Sequence, residues 1–323
     1  MTKLLIAEPF PPGLVEALRR MLPPSVEVDM VASLSERDFA EAAVDADILV
    51  CARRQIDAAA LEWAPKVSFV QQLGIGYDNL DVSALGAAGI TAAYNPGFNT
   101  VTVAEHAVML MLVLLRRFTA AEGVTRAGRF PTMEFIQENQ THLAELRDTD
   151  VGLVGLGSIG QAVAERLAAF GSRVLYTARR RNEEAEARLG MRYALLPDLL
   201  SSCNLVSLHV PLTPETRHLI GEAEFGLMQP GALLVNTSRG QVVDEAALRR
   251  AIENGHLRGA AIDVLEDEMS EVNCLADLPH VLVTPHIAGS SRTSLPRMLE
   301  MAVANVVRFL RGEPLQNLVP SAD

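Results

Sequence analysis

Cysteine is scarce in this chain. Cys51, Cys203 and Cys274 lie far apart and form no CxxC or CxxH pair. So sparse and odd a set excludes a disulfide framework, speaks against a structural zinc centre, and points to a reducing compartment. Lysine is scarcer still, with only Lys3 and Lys66 among 28 basic residues. Positive charge is in deficit overall, and the formal net charge is −12. That argues against electrostatic capture of nucleic acid or an anionic membrane surface. A local cleft can still be positive, so a small anionic substrate stays compatible with the composition. Long apolar runs are also missing. The longest, Ala107 to Leu115, lies between His106 and Arg116 and is too short to span a bilayer. At the N-terminus, Glu8 and three prolines interrupt the chain before a signal-peptide core can form. A cytoplasmic protein with no membrane or nucleic-acid partner is expected.

What is present is globular. The 323 residues are 49% apolar and 21% charged, enough for about two domains with large cores. LLIA, VEVDM, DILVC and VSFVQQL read as strands, and stretches near Pro12–Leu22 and Ser35–Ala43 as helices. Strands separated by helices predict a parallel α/β sheet. A helix from Thr100 to Arg117 is apolar almost all round, which suits either an ordinary core helix or one buried between domains or subunits. From Asp150 the alternation restarts. VGLVGLG, RVLYTA, LVSLHV, ALLVNTS, GAAIDVL and HVLVTPH are six candidate strands with helical patterns in most gaps. They predict a doubly wound dinucleotide-type domain. A last helix, Ser294 to Arg311, follows this set.

Gly155-Leu156-Gly157-Ser158-Ile159-Gly160 matches GxGxxG, follows a predicted strand and opens a predicted helix. In that context Gly155 permits the tight turn, Gly157 lets backbone approach a pyrophosphate, and Gly160 allows close helix–strand packing. The helix N-terminus then offers N–H groups and a positive dipole end to phosphate. The next strand should end in an acid that binds the adenosine ribose. It runs instead Tyr176-Thr177-Ala178-Arg179-Arg180-Arg181. Without a carboxylate to repel a 2′-phosphate, and with arginines able to grip one, NADP(H) is expected ahead of NAD(H). A solvated arginine run is the plainer alternative.

Three segments at the ends of late strands carry unusual polar residues: Asn236–Gly240, Asp263–Glu268 and Thr284–Gly289. Ligands sit at the carboxyl ends of strands in doubly wound sheets. An Arg, a Glu and a His gathered there suit reduction of a 2-keto acid. Arg239 would hold the substrate carboxylate and polarise the ketone. His286 would donate the proton, and Glu268 would orient the imidazole and support its charged form. Each has a plainer reading: Arg239 pairing with Asp244, Glu268 as one of several solvated acids, His286 as a loop histidine.

With these segments in place, the chain resembles the D-isomer-specific 2-hydroxyacid dehydrogenases. The matching pieces are the glycine-rich turn, His209–Thr216, the three polar segments, Leu73–Asp81, and Asn99–Glu105. The resemblance implies that Arg239, Glu268 and His286 are the catalytic set. It implies that the loop of Leu73, Gly74, Ile75 and Gly76 binds substrate, with backbone N–H groups of Ile75 and Gly76 on the carboxylate. Ser158, Ile159, Val210, Pro211, Thr216, Thr237, Ser238, Asp263 and Gly289 would line the cofactor, with Thr100 near the nicotinamide. The implied architecture is a discontinuous flavodoxin-like substrate domain (1–98 and 291–323) with an inserted Rossmann cofactor domain (99–290), assembled as a homodimer. Two departures stand out. Met269 replaces the proline that usually follows the glutamate, which predicts a looser loop, and Ala178 replaces the ribose-binding acid. The second resembles the NADP-using glyoxylate/hydroxypyruvate reductases. The alternatives are an NAD-dependent D-2-hydroxyacid or phosphoglycerate dehydrogenase and, in another class, a dinucleotide-sensing corepressor-like protein.

Overall fold

The computed structural model describes residues 1–268, Ser270 and 274–320. Met269 therefore lies outside the described residues. The chain forms two compact units, Met1–Asn99 with Ser291–Asp323, and Thr100–Ser290.

The first unit is built on five parallel strands: β1 (Thr2–Ile6), β2 (Val26–Met30), β3 (Ile48–Cys51), β4 (Phe69–Gln72) and β5 (Thr91–Ala93). Their order, β2-β1-β3-β4-β5, is the flavodoxin-like winding. β3 and β4 are buried at every residue, as expected of central strands covered on both faces. β5, three residues long at the edge, is absent from the sequence reading because it is too short to show a period. The helix Ser294–Arg311 belongs to this unit. Its Met298, Leu299, Ala302, Val303 and Val306 pack with Leu4, Ile6 and Phe69.

The second unit carries β6 (Asp150–Val154), β7 (Arg173–Thr177), β8 (Arg192–Tyr193), β9 (Leu205–Leu208), β10 (Ala232–Asn236), β11 (Leu257–Ile262) and β12 (Val281–Val283). All pair in parallel, in the order β12-β11-β10-β9-β6-β7-β8. The order reverses between β6 and β9, the switch point of a Rossmann sheet. Six of the seven strands are those read from the sequence, and the two-residue β8 is the addition. The helix Thr100–Leu115 buries Ala104, Ala107, Leu110, Met111 and Leu115 in this unit's core. That face needs no explanation beyond core packing, while Val101 and Met109 stay exposed. Among the described residues no helix is long and apolar enough to cross a membrane.

Candidate active site

The site begins where β6 ends. Gly155 has φ 102°, and a Cβ there would stand 2.4 Å from the His209 carbonyl oxygen. Only glycine fits, because the conformation is left-handed and the approach is too close. A Cβ on Gly160 would fall 2.3 Å from the Gly155 carbonyl, so the turn and the helix Ser158–Phe170 touch backbone to backbone. Gly157 differs: nothing lies within 4 Å of its Cβ position. It caps a helix whose N-terminus receives no side-chain hydrogen bond. An open cradle with unspent N–H groups fits a pyrophosphate. Two further atoms fit the same ligand. Among the described residues, the buried hydroxyls of Thr100 and Thr237 have no hydrogen-bond partner. Buried polar atoms of this kind ordinarily find one, and both belong to the expected cofactor set.

At the end of β7, Ala178 packs against the apolar core while Arg179 and Arg180 are exposed. Arg181 is spent elsewhere. Its guanidinium grips Glu186 with two bonds of 2.8 Å, and the Tyr176 hydroxyl donates to the same carboxylate. The arginine beside Glu186 holds that carboxyl down at about 2. On the opposite side of the cradle, the Thr216 hydroxyl donates to the Pro211 carbonyl and accepts from the Thr213 N–H, closing the segment after β9 into a turn. His209 lies between turn and strand. Burial pushes its imidazole down to about 4, so it is neutral at pH 7.

The residues expected to be catalytic follow β10, β11 and β12. Asn236, buried at the last residue of β10, accepts from the Ser238 N–H and hydroxyl and donates to the Arg239 carbonyl. That side chain shapes the bend that presents Arg239. Asp244 does not compete for the arginine, since its carboxylate caps the next helix at the Ala247 N–H. The Arg239 segment also packs on the Glu268 segment. A Cβ at Gly240 would fall 2.0 to 2.3 Å from the backbone of Leu265 and Glu266.

Glu268 and His286 meet directly, with His286 Nδ1 2.8 Å and 2.9 Å from the two carboxylate oxygens. A carboxylate accepts, so Nδ1 carries a hydrogen and Nε2 is left to exchange a proton. His286 sits at φ 51°, an uncommon conformation for a residue with a side chain. Asp263 imposes it. The carboxylate of Asp263, 1% exposed, accepts from the Ile287 and Ala288 N–H groups and the Thr284 hydroxyl, and its carbonyl accepts from the His286 N–H.

Sequence reasoning missed the supports of this loop. His106 Nε2 stands 3.4 Å from the Thr284 hydroxyl and 3.7 Å from Asp263. Glu266 is held three ways: Glu245 accepts from its N–H, Gln241 donates to its carbonyl, and His218 contacts its carboxylate at 2.6 Å. None of these residues forms a sequence motif with the glutamate it supports.

In the first unit, the loop after β4 turns its carbonyls inward. Asn95 donates to the Leu73 and Gly74 carbonyls, and Gln72 Nε2 donates to the Gly76 carbonyl at 2.7 Å. The N–H groups of Ile75 and Gly76 have no acceptor among the described residues. That is the expected surplus of donors for a carboxylate. The neighbouring loop after β3 is held by Glu8, a fully buried residue to which the sequence reading gave no place in the site and which accepts from the Ala52 and Arg53 N–H groups.

Comparison with known proteins agrees with this geometry. Residues 108–288 match the family model for the D-isomer specific 2-hydroxyacid dehydrogenase, NAD binding domain. A glyoxylate reductase of Korarchaeum cryptofilum is 40% identical over 292 residues, 88% of this chain and 86% of that one. A glyoxylate reductase of Thermococcus litoralis is 39% identical over 266 residues, 82% of this chain and 80% of that one. The solved TT0316 protein of Thermus thermophilus superposes with TM-score 0.85 at 34% identity, covering 99% of this chain and 100% of that one. A D-lactate dehydrogenase of Aquifex aeolicus, solved with NAD and lactic acid, gives TM-score 0.85 at 29% identity over 97% of this chain and 96% of its own. This chain belongs to the D-isomer-specific 2-hydroxyacid dehydrogenase family, the NAD(P)-dependent oxidoreductases that act on the CH–OH group of a 2-hydroxy acid.

Proposed function

We propose that the protein is an NADPH-dependent reductase of small 2-keto acids, with glyoxylate and hydroxypyruvate as the leading substrates and a D-2-hydroxy acid as product. The observation that carries this reading is the Glu268–His286 pair beside the Arg239 segment at the carboxyl edge of the Rossmann sheet. A nicotinamide bound at that edge supplies the hydride. Arg239 holds the substrate carboxylate and polarises the ketone. In the first unit, the N–H groups of Ile75 and Gly76 are the donors that the family resemblance assigns to substrate. As the hydride reaches the carbonyl carbon, His286 Nε2 gives its proton to the carbonyl oxygen. Glu268 keeps Nδ1 hydrogen-bonded throughout, so the ring is aimed and Nε2 is left to exchange the proton.

The cradle at Gly155, Gly157 and Gly160, with Ser158 and Ile159 at the helix start, takes the pyrophosphate. Val210, Pro211 and Thr216 cover the adenosine side, and Thr100, Thr237, Ser238, Asp263 and Gly289 the nicotinamide side. Arg179 and Arg180 take the 2′-phosphate, with Arg181 committed to Glu186. NAD(H) is the poorer cofactor on this reading. The working unit is a homodimer. Val101, Met109, Phe118, Met133 and Ile136, on three consecutive helices, and Phe130 between the last two are exposed apolar side chains, and a second copy would cover them.

Initial rates of NADPH and NADH oxidation with glyoxylate, hydroxypyruvate and phenylpyruvate test the proposal. Rapid NADPH-linked turnover on glyoxylate or hydroxypyruvate supports it. Turnover linked to NADH alone returns the protein to the NAD-dependent branch, and tight cofactor binding without turnover favours a sensor.

A further inference from the structure

The strands that present Arg239, Asp263 and His286 at their carboxyl ends carry a second charged cluster at their amino ends. A small open cleft of ≈ 50 Å³ is lined there by Leu233 of β10, Arg258 and Gly259 of β11, Val281 of β12, and Arg117 and His280. Its distance from the catalytic edge is one strand length, roughly 15 Å.

The two guanidinia of this cleft have no carboxylate to neutralise them among the described residues. Among the described residues, neither Arg117 nor Arg258 forms an ion pair. Arg258 is half-buried and donates to a neutral acceptor, the His142 carbonyl, at 3.1 Å. Burial and the Arg117 charge both depress its guanidinium. Arg117 sits in the left-handed conformation at φ 46°, at the junction of the helices Thr100–Leu115 and Phe118–Arg126. Strained backbone held in place by its surroundings is a feature of binding sites. The Arg117 Nη2 is 3.5 Å from His280 Nδ1. A guanidinium only donates, so that nitrogen accepts, and the His280 ring is the neutral tautomer with hydrogen on Nε2. Burial, then Arg117, hold His280 below the usual histidine range, and His142 is depressed by burial, then Arg258. The strand end is also fixed at this point, since a Cβ on Gly259 would meet the His280 carbonyl oxygen at 2.4 Å.

Two guanidinia without a carboxylate partner among the described residues, and the His280 imidazole, therefore line one concave space. We propose that this cleft is an anion site, separate from the catalytic edge, that takes a phosphoryl-type dianion. Two fixed positive charges match a dianion. A tetrahedral oxyanion has oxygens enough for two planar guanidinium forks and an imidazole N–H, whereas one carboxylate is satisfied by a single fork. The occupant is either inorganic phosphate or the phosphate group of a small metabolite.

The test uses the full chain saturated with NADPH, and separately with NADH, so that the dinucleotide fills its own phosphate subsites. Inorganic phosphate and methyl phosphate are titrated against chloride at matched ionic strength. The readouts are Tm and the 31P linewidth of the free ligand. Either phosphate is expected to raise Tm saturably, and Arg258→Met or Arg117→Met to weaken half-saturation by about tenfold or more. Preference for methyl phosphate would identify a phosphorylated metabolite; equal or weaker binding would identify free phosphate. Arg258→Lys, which keeps the charge without the fork, and the linewidth readout cover the case in which Arg258→Met folds poorly. Three results would overturn the proposal. They are no effect beyond chloride, a phosphate effect unchanged in the Arg117→Met/Arg258→Met double variant, or a change in the monomer–dimer equilibrium of that variant without phosphate binding. The last would assign the arginines to a carboxylate of a second copy.

Discussion

Asp263 and His286 are joined twice: the Asp263 carbonyl accepts from the His286 N–H, and the Asp263 carboxylate accepts from the next two N–H groups of the chain. The acid supplies no proton, yet it determines where the imidazole stands. Asp263→Asn puts an amide donor opposite an N–H group. Leaving that buried donor unsatisfied costs roughly 1–3 kcal/mol. Tm is expected to fall, and kcat to fall further than the stability loss explains. Wild-type kcat in a folded Asp263→Asn protein would show that the loop is held without it.

His286→Gln removes the proposed proton donor and keeps a polar side chain of similar size. Keto-acid reduction is expected to drop by roughly 10²–10⁴-fold, with cofactor affinity, measured by fluorescence titration, unchanged. Retained turnover would mean that another group delivers the proton.

Arg179→Ala/Arg180→Ala tests the cofactor preference. Hydrogen bonds to a charged group contribute about 1.5–3 kcal/mol each. The KM for NADPH is therefore expected to rise by at least about tenfold, with the KM for NADH nearly constant. Equal effects on both cofactors would sink the 2′-phosphate assignment.

His209 gives the stability of the second unit an acid limb. Its folded-state value is lowered to about 4 from 6.5, so below pH 6.5 the unfolded chain binds a proton that the folded one refuses. The stabilisation is complete above pH 6.5, falls as the pH drops, and levels off near pH 4. The loss is bounded by roughly 3 kcal/mol. His209→Gln, which keeps a donor toward the Ser207 hydroxyl now 3.0 Å from Nε2, is expected to flatten this limb in urea melts between pH 4 and 7. An unchanged limb would assign it to other groups.

Much of the molecule is legible in the amino-acid order because the deciding physics is local. Buried parallel strands must be apolar runs, which is why β3 falls on Ile48–Cys51 within a stretch read as a strand, and the last helix spans Ser294–Arg311 as its helical pattern reads. The glycines at 155 and 160 are demanded by contacts under 3 Å, and a turn that tight leaves a spacing anyone can read. Arg239, Glu268 and His286 stand out because they fall in polar segments that follow apolar strand runs, where ligands sit in a doubly wound sheet. The edge strands β5 and β8 are too short to carry a period.

What only the tertiary structure decided is which partners those residues find. Arg179, Arg180 and Arg181 are equivalent in the sequence, and the fold commits one of them by bringing Glu186 and Tyr176 to it. From the sequence Asp263 is only an expected cofactor-lining residue; the ends of β11 and β12 make it the anchor of the His286 loop. Arg117, Arg258 and His280 are spread over more than 160 residues and share no motif. They converge because β11 and β12 start side by side beneath the helix that ends at Leu115. Local energetics leave a periodic trace along the chain. Long-range pairing leaves none, because its cost and its gain are set by elements that meet only when the sheet is complete.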